Sequence, residues 1–364
     1  MNATMRRITL GTAAVSMAVS LAACGKAGGD DKAASGDGKT IGLLLPENKT
    51  TRYETFDRPF IEAKVTQLCG DCKVKYSNAA QQSDTQKKQF DALITQGVKV
   101  IILDPVDYKA TKSWVRQAEK KGVEVVAYDR LAEGPISAYV SYDNEKIGRL
   151  QGEALVKALG PKAAESDVVM INGSPTDPNA PFFKKGAHSV LDTQVKKVVY
   201  EQDIPDWSPD EANKKMGAAI DSLGKGGFQG VYSANDGMAG GIITALNKQG
   251  IKVPVGGQDA ELAGLQRILK GNQAFTIYKQ IKPEAETTAE IAVRLLKGEK
   301  IDDLTPARVD SLSGEVKGIP AKLYDAQVVT RENVASTIIA DKVYQAAEIC
   351  TPEYKAACEA AGVK

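Results

Sequence analysis

KVIILDPVDYKATKSWVRQAEKKGVEVVAYDR, residues 99–130, decides how the rest of the chain is read. KVIILDPV (99–106) is an apolar, β-branched run of strand length. YKATKSWVRQAEKKG (108–122) is helical and ends on Gly122, as helix C-termini often do. VEVVAYDR (123–130) is a second strand. Strands alternating with helices make βαβ units and parallel sheets. The second strand stops abruptly on Asp129 and Arg130. An adjacent acid and base at the end of a core strand is no core feature, and the pattern recurs along the chain.

Outward from this unit the alternation continues. TIGLLLP (40–46) is a strand, followed by a helix from Arg52 or Asp57 to Leu68. KVKYSNA (73–79) is a strand, and Ser83-Asp84-Thr85-Gln86 offers a capping box for a helix through Gln96. A second series starts at AYVSYDN (138–144). Its strands are DVVMING, KKVVYEQD, FQGVYSAND, KVPVGGQDA and QAFTIYKQ, each followed by a helical segment. Two series of similar length predict an α/β fold of two doubly wound parallel-sheet lobes with right-handed crossovers.

Composition removes several function classes. The chain has 364 residues, 26% of them charged, with a formal net charge of +1. No basic excess marks it as a nucleic-acid binder. The single histidine, His188, lies in the helical stretch FFKKGAHSVL, which argues against a His-rich metal site and a Ser-His-Asp hydrolase. No G-x-G-x-x-G follows a strand and no G-x-x-x-x-G-K-[ST] occurs. The reading is of a protein without cofactor or metal, and not an enzyme.

What recurs at strand C-terminal ends is polar or aromatic: Asp129 and Arg130; Asn172, Asp177 and Asn179; Asn235 and Asp236; Gln258 and Asp259; Tyr278 and Lys279. Trp207 sits in the loop after another strand. Ligands of open α/β sheets bind outside the carboxyl ends of the strands, so two facing lobes would enclose one between them. Acids and bases nearly balance, which fits a neutral ligand. A sugar hydroxyl both donates and accepts, and satisfies an Asp and an Arg together. Asp177 and Asp236 are assigned to helix capping instead.

At the N-terminus, Arg6-Arg7 precede an apolar stretch from Ile8 to Ala22 that fits a signal peptide. It ends in Leu21-Ala22-Ala23-Cys24, which resembles the lipobox of bacterial lipoproteins and implies a lipidated Cys24. Residues 24–39 read as anchor and flexible tether. Four cysteines then remain, and the expected disulfides are Cys69–Cys72 and Cys350–Cys358.

Longer motifs carry a family resemblance. TRYE (51–54), AYDR (127–130), SYDNEKIGRLQ (141–151), NGSPTDPNA (172–180), DWSP (206–209), SANDGMAGG (233–241), GGQDAELAGLQRI (256–268) and TIYK (276–279) resemble the D-xylose-binding proteins of bacterial ABC importers and the related multi-sugar-binding proteins. The resemblance implies the type I periplasmic-binding-protein fold: two lobes, three hinge crossovers, and a sugar in the cleft. It implies hydroxyl binding by Arg52, Asp129, Arg130, Asn179, Asn235, Asp259 and Lys279, between aromatic walls at Tyr53 and Trp207. Tyr53 stands where the family usually has Trp, and Pro178 where it usually has Asn. Multi-sugar relatives often carry Asp at the position of Asn235, which leans the reading toward xylose. The expected lobes are 40–143 plus 282–317 and 144–281 plus 318–343, with crossovers near 142–145, 280–283 and 316–320 and a tail at 344–364. The implied partners are a monosaccharide and an ABC permease, for a monomer anchored outside the cytoplasm by lipid. The rival readings are a sugar-responsive repressor, which an export signal contradicts, and a receptor feeding a sensor.

Overall fold

The computed structural model describes residues 39–363, so the expected signal peptide, Cys24 and nearly all of the expected tether fall outside the described residues. The first lobe opens with β1 (Thr40–Leu45), α1 (Arg58–Leu68), β2 (Lys73–Asn78), α2 (Ser83–Thr95), β3 (Val100–Leu103), α3 (Thr111–Lys120), β4 (Glu124–Tyr128) and β5 (Ala138–Tyr142). The second holds α4 (Asn144–Leu159), β6 (Asp167–Asn172), α5 (Ala180–Gln194), β7 (Lys197–Asp203), α6 (Pro209–Leu223), β8 (Gly230–Ser233), α7 (Asp236–Lys248), α8 (Leu262–Leu269) and β9 (Thr276–Lys279). Then come α9 (Ile281–Leu296), β10 (Ala307–Val309), β11 (Ile319–Tyr324), β12 (Ala326–Val329), α10 (Ala346–Ile349) and α11 (Lys355–Ala360).

The first sheet runs β10-β11-β5-β4-β3-β1-β2, parallel except for β10 at its edge. Successive side chains of a strand face opposite ways, and here each face has its own core. Leu44, Ile101, Leu103, Val125 and Ala127 pack with Phe90 of α2 and Trp114 of α3. Ile41, Leu43, Leu45, Val100, Ile102 and Val126 pack with Ile61 of α1 and Ala289 of α9. The second lobe has the parallel order β7-β6-β8 and a two-stranded antiparallel pair, β12-β9. Residues 254–259 join the two.

Four local expectations change. The strand foreseen at 252–260 is a single bridge, Val231 to Val255, followed by extended backbone. There Asp259 N–H donates to Ile277 O at 2.8 Å. Gly257 interrupts it because a Cβ there would lie 2.0 Å from the Asp236 carboxylate. The capping box at 83–86 does not form. Gln86 turns inward instead, donating to Asp104 O at 2.7 Å and accepting from Val106 N–H at 2.9 Å, which pins the loop after β3. The residues from Tyr53 to Asp57 form a π-helical turn ahead of α1. Finally, β11 pairs in parallel with β5, Ala321 opposite Tyr139, so residues 318–324 belong to the first lobe. Ile319 and Ala321 complete the core that holds Phe90 and Trp114, and the chain leaves that lobe at Asp325, not at 316–320. The other two exchanges between sheets fall at Asp143 and Gln280. Cys69–Cys72 and Cys350–Cys358 are disulfide-bonded.

α4 and α5 touch backbone to backbone. A Cβ on Gly148 would lie 2.0 Å from Phe183 O, and one on Gly186 would lie 2.0 Å from Glu145 O. Gly148→Ala is expected to lower stability by about 1–3 kcal/mol through overpacking. Gly217→Ala on α6, where no atom lies within 4 Å of the new Cβ, should be neutral or stabilising. Urea unfolding of both variants makes the comparison.

The fold also buries acids. Burial pushes the carboxyl groups of Asp236 to about 7, Glu261 to about 8 and Glu284 to about 8. At Glu284 the Arg52 cation opposes that rise, and Asp129 and Asp57 reinforce it. A carboxyl raised in the folded state contributes stability that is fully present below its unfolded value and is lost as pH rises through the folded one. Stability should therefore fall from about pH 5 to 8, by up to about 1.4 kcal/mol per pH unit for each such group. Glu284→Gln should flatten part of that slope, as read by urea midpoints at pH 5, 6, 7 and 8.

Candidate ligand-binding cleft

In each sheet the chain order reverses beside the central strand, between β1 and β3 in the first and between β6 and β8 in the second. Such switch points open a crevice at the strand C-termini. The loops that follow these strands meet there. The nine side chains expected to hold a ligand, Arg52, Tyr53, Asp129, Arg130, Asn179, Trp207, Asn235, Asp259 and Lys279, all line one cavity of about 20 Å³. Thr50, Asp177, Phe183 and Gln258 line it as well. Its volume is space for about one water molecule, so any larger ligand requires the lobes to part.

Three lining residues adopt a left-handed backbone that non-glycine residues rarely hold: Asp129 at φ 53°, Trp207 at φ 52° and Asp259 at φ 96°. Such strain persists only where the surroundings over-determine it, and it gathers at ligand sites. At Asp129 the cause is visible. The turn aims the carbonyl at three donors: Ser141 Oγ at 2.6 Å, Tyr139 OH at 3.1 Å and, from the other lobe, Asn179 Nδ2 at 3.1 Å. Trp207 is seated against Gly173, where a Cβ would lie 2.1 Å from the indole.

The charged groups are arranged in short relays. Arg52 bonds Asp57 and Tyr128, and lies 2.8 Å from Glu284 Oε2 and 3.4 Å from Asp129 Oδ1. Tyr53 OH donates to Asp129 Oδ2 at 3.1 Å and accepts from Arg130 Nη2 at 3.3 Å. Arg130 also donates to Pro105 O at 3.2 Å, on the loop pinned by Gln86. Burial would raise the Asp129 carboxyl, but Arg52, Lys279 and Arg130 hold it below the usual carboxylate range. Asp104, behind Arg130, is pushed well up by burial despite that cation. Lys279 Nζ lies 2.9 Å from Asp259 Oδ1. Asn235 caps α7, accepting from Met238 N–H at 2.9 Å, and still lines the cavity.

Asp177 corrects the capping assignment. It does accept from Asn179 N–H at 2.8 Å, but it also takes the Trp207 indole N–H at 3.1 Å and lies 2.8 Å from Arg130 Nε across the lobes. Burial raises its carboxyl and Arg130 opposes the rise. The signal was present in its position among strand-end polar residues, but the local capping pattern explained it too well. Asp236 is structural as expected, though not as a cap: Thr276, Gln273 and the Glu261 N–H bond its carboxylate. Asn172 bonds Glu201 and Asp203 and stands apart from the cavity, as does Tyr278. Phe183 was legible only as a helix residue. His188 lies on a helix surface, paired with Asp192.

The lining carries three carboxylates and three cations, with amides and aromatic walls. Arg130 Nε, Gln258 Oε1 and Asp259 Oδ1 lack a well-directed hydrogen bond. Buried polar atoms of this kind call for partners, and paired donors and acceptors suit a small, neutral, polyhydroxylated molecule. The cavity has no nucleophile–base pair of the kind that covalent catalysis requires.

Comparison with known proteins agrees. A family model described as "Periplasmic binding protein domain" matches residues 41–300. The D-xylose-binding periplasmic protein of Escherichia coli (strain K12) is 34% identical over 316 residues, covering 85% of this chain and 92% of that protein. The multiple sugar-binding periplasmic receptor of Rhizobium radiobacter is 28% identical over 338 residues, covering 86% and 93%. A carbohydrate transporter solute binding protein from Chloroflexus aurantiacus, solved in complex with D-glucose, is similar with a TM-score of 0.74 at 25% identity, covering 85% of this chain and 97% of that one. Fold, cleft and sequence together make this chain a member of the periplasmic binding protein family, whose members are non-enzymatic transport receptors.

Proposed function

We propose that the protein captures a monosaccharide, D-xylose first among the candidates, in the cleft between its lobes and delivers it to an ABC permease. The observation that carries this reading is the charge-balanced, aromatic-walled lining, in which acids and bases face a common space. A charged ligand would leave one sign in excess, and an apolar one would strand the whole set. A pyranose presents hydroxyls to Asp129, Arg130, Asn179, Asn235, Asp259 and Lys279, and its C–H face to Trp207 and Tyr53. The xylose and multiple-sugar relatives support the ligand class, and Asn235 supports the xylose branch. Closure about the segments near Asp143, Gln280 and Asp325 buries the sugar. The closed form presents both lobes to the permease in one fixed relation. Lipidation of Cys24 holds the receptor at the outer face of the membrane.

A broader monosaccharide specificity is the second reading, favoured by the phenol of Tyr53, a smaller ring than indole. Calorimetry against D-xylose, glucose, galactose and arabinose separates the two. Charge-assisted hydrogen bonds are worth about 1.5–3 kcal/mol each, so Asp259→Ala should weaken binding by about ten- to a hundredfold. Trp207→Ala should cost a comparable amount through lost stacking. Asp236→Asn, away from the lining, should change stability more than affinity. Parent-like affinity in both cleft variants sinks the site assignment, and a parent that binds no monosaccharide sinks the ligand class.

A further inference from the structure

The chain beyond β12 contributes nothing to the cleft lining, yet it is firmly fastened to the second lobe. Val334, Ile338, Tyr344 and Ile349 share a core with Leu265 and Leu269 of α8. The Cys350–Cys358 bridge closes the segment on itself. Gln266 of α8 donates to Ile349 O at 3.2 Å, and Gln280, at the exchange between lobes, donates to Asp341 Oδ2 at 2.9 Å.

A first-lobe side chain packs onto this second-lobe core. It is Phe56, whose ring meets that of Tyr344 edge-on, with centroids 5.4 Å apart and planes at 72°. Phe56 sits in the π-helical turn that begins at Tyr53, directly after Arg52. Beside the pair, the Glu261 carboxyl group of the second lobe lies near the Thr51 backbone. The stretch from Thr51 to Phe56 thus presents Arg52 and Tyr53 to the cleft on its inner side. On its outer side it is gripped by the other lobe.

We propose that Tyr344 is a positioning residue for ligand binding. Through Phe56 it fixes the turn that carries Arg52 and Tyr53, and the stapled C-terminal segment acts as a clasp that holds the lobes shut from outside the cleft. The inference rests on the sugar-binding reading for its affinity readout but not for its conformational one. Because Tyr344 touches no ligand, its contribution to closure is the same whichever sugar is bound. A residue that contacts the sugar changes the ranking of sugars; a clasp changes all affinities by one factor.

Tyr344→Ala, Phe56→Ala and the double variant test this, with Tyr344→Phe as the ring-retaining control. Each is checked for folding by circular dichroism, then measured by small-angle scattering and by calorimetry against xylose, glucose and galactose. Each single alanine variant should have a larger radius of gyration and bind every accepted sugar about two- to tenfold more weakly, the range of an aromatic pair. The double variant should lose no more than either single one, and Tyr344→Phe should match the parent. Additive losses, losses that differ from sugar to sugar, or parent-like scattering and binding in both singles overturn the clasp. If Tyr344→Ala does not fold, Phe56→Ala on the opposite lobe decides alone. If the parent binds no sugar, the ligand reading fails while scattering still decides the clasp.

Discussion

The construction of the cleft turns on one constraint: Arg52 and Arg130 are charged and almost wholly out of water. A buried charge is tolerable only when it is paired and hydrogen-bonded. Arg52 is answered by Asp57 and Glu284 from its own lobe and by Asp129 at the cleft. Arg130 is answered by Tyr53, Pro105 O and, across the lobes, Asp177. The first lobe completes the Arg52 set by itself, whereas the Arg130 set needs Asp177 of the second. Charge satisfaction at Arg130 therefore draws the lobes together alongside apolar packing.

The strained residues follow from the same constraint. Asp129 has to offer a carboxylate to Arg52 and Tyr53 while turning its carbonyl toward Tyr139, Ser141 and Asn179. A strand-like backbone cannot serve both, so the chain adopts φ 53° there. Trp207 holds the same region where its indole packs against Gly173 and its N–H reaches Asp177. The cost of each conformation, about 1–3 kcal/mol, is borne by well-packed sheets behind them.

Much of the cleft was legible beforehand because strand ends in an α/β sheet have a fixed destination. Once TIGLLLP, KVIILDPV and VEVVAYDR are parallel strands, whatever follows them faces the same crevice. That logic places Asp129, Arg130, Asn179, Asn235 and Asp259 without any contact information. It fails where a residue has a sufficient local explanation. Asp177 precedes a helix and does accept a local bond from Asn179 N–H, so its bridge to Arg130 was hidden. Ser83 to Gln86 has the pattern of a capping box, yet Gln86 is recruited by a loop about twenty residues away. Phe183 lines the cleft from α5, which Gly148 and Gly186 let lie against α4.

By itself the sequence determined the alternation of strands and helices, the division into two series, the polar strand ends and the near-neutral balance that points to a neutral ligand. These are properties of neighbours along the chain: period, punctuation and composition. Only the tertiary structure decided that 319–324 returns to the first sheet, that Asp177 belongs to the cleft, and that the tail reaches Phe56 through Tyr344. Each of these depends on which distant surface has an unfilled hydrogen bond or an uncovered apolar face. No local pattern records that, because it exists only once the chain has brought the two surfaces together.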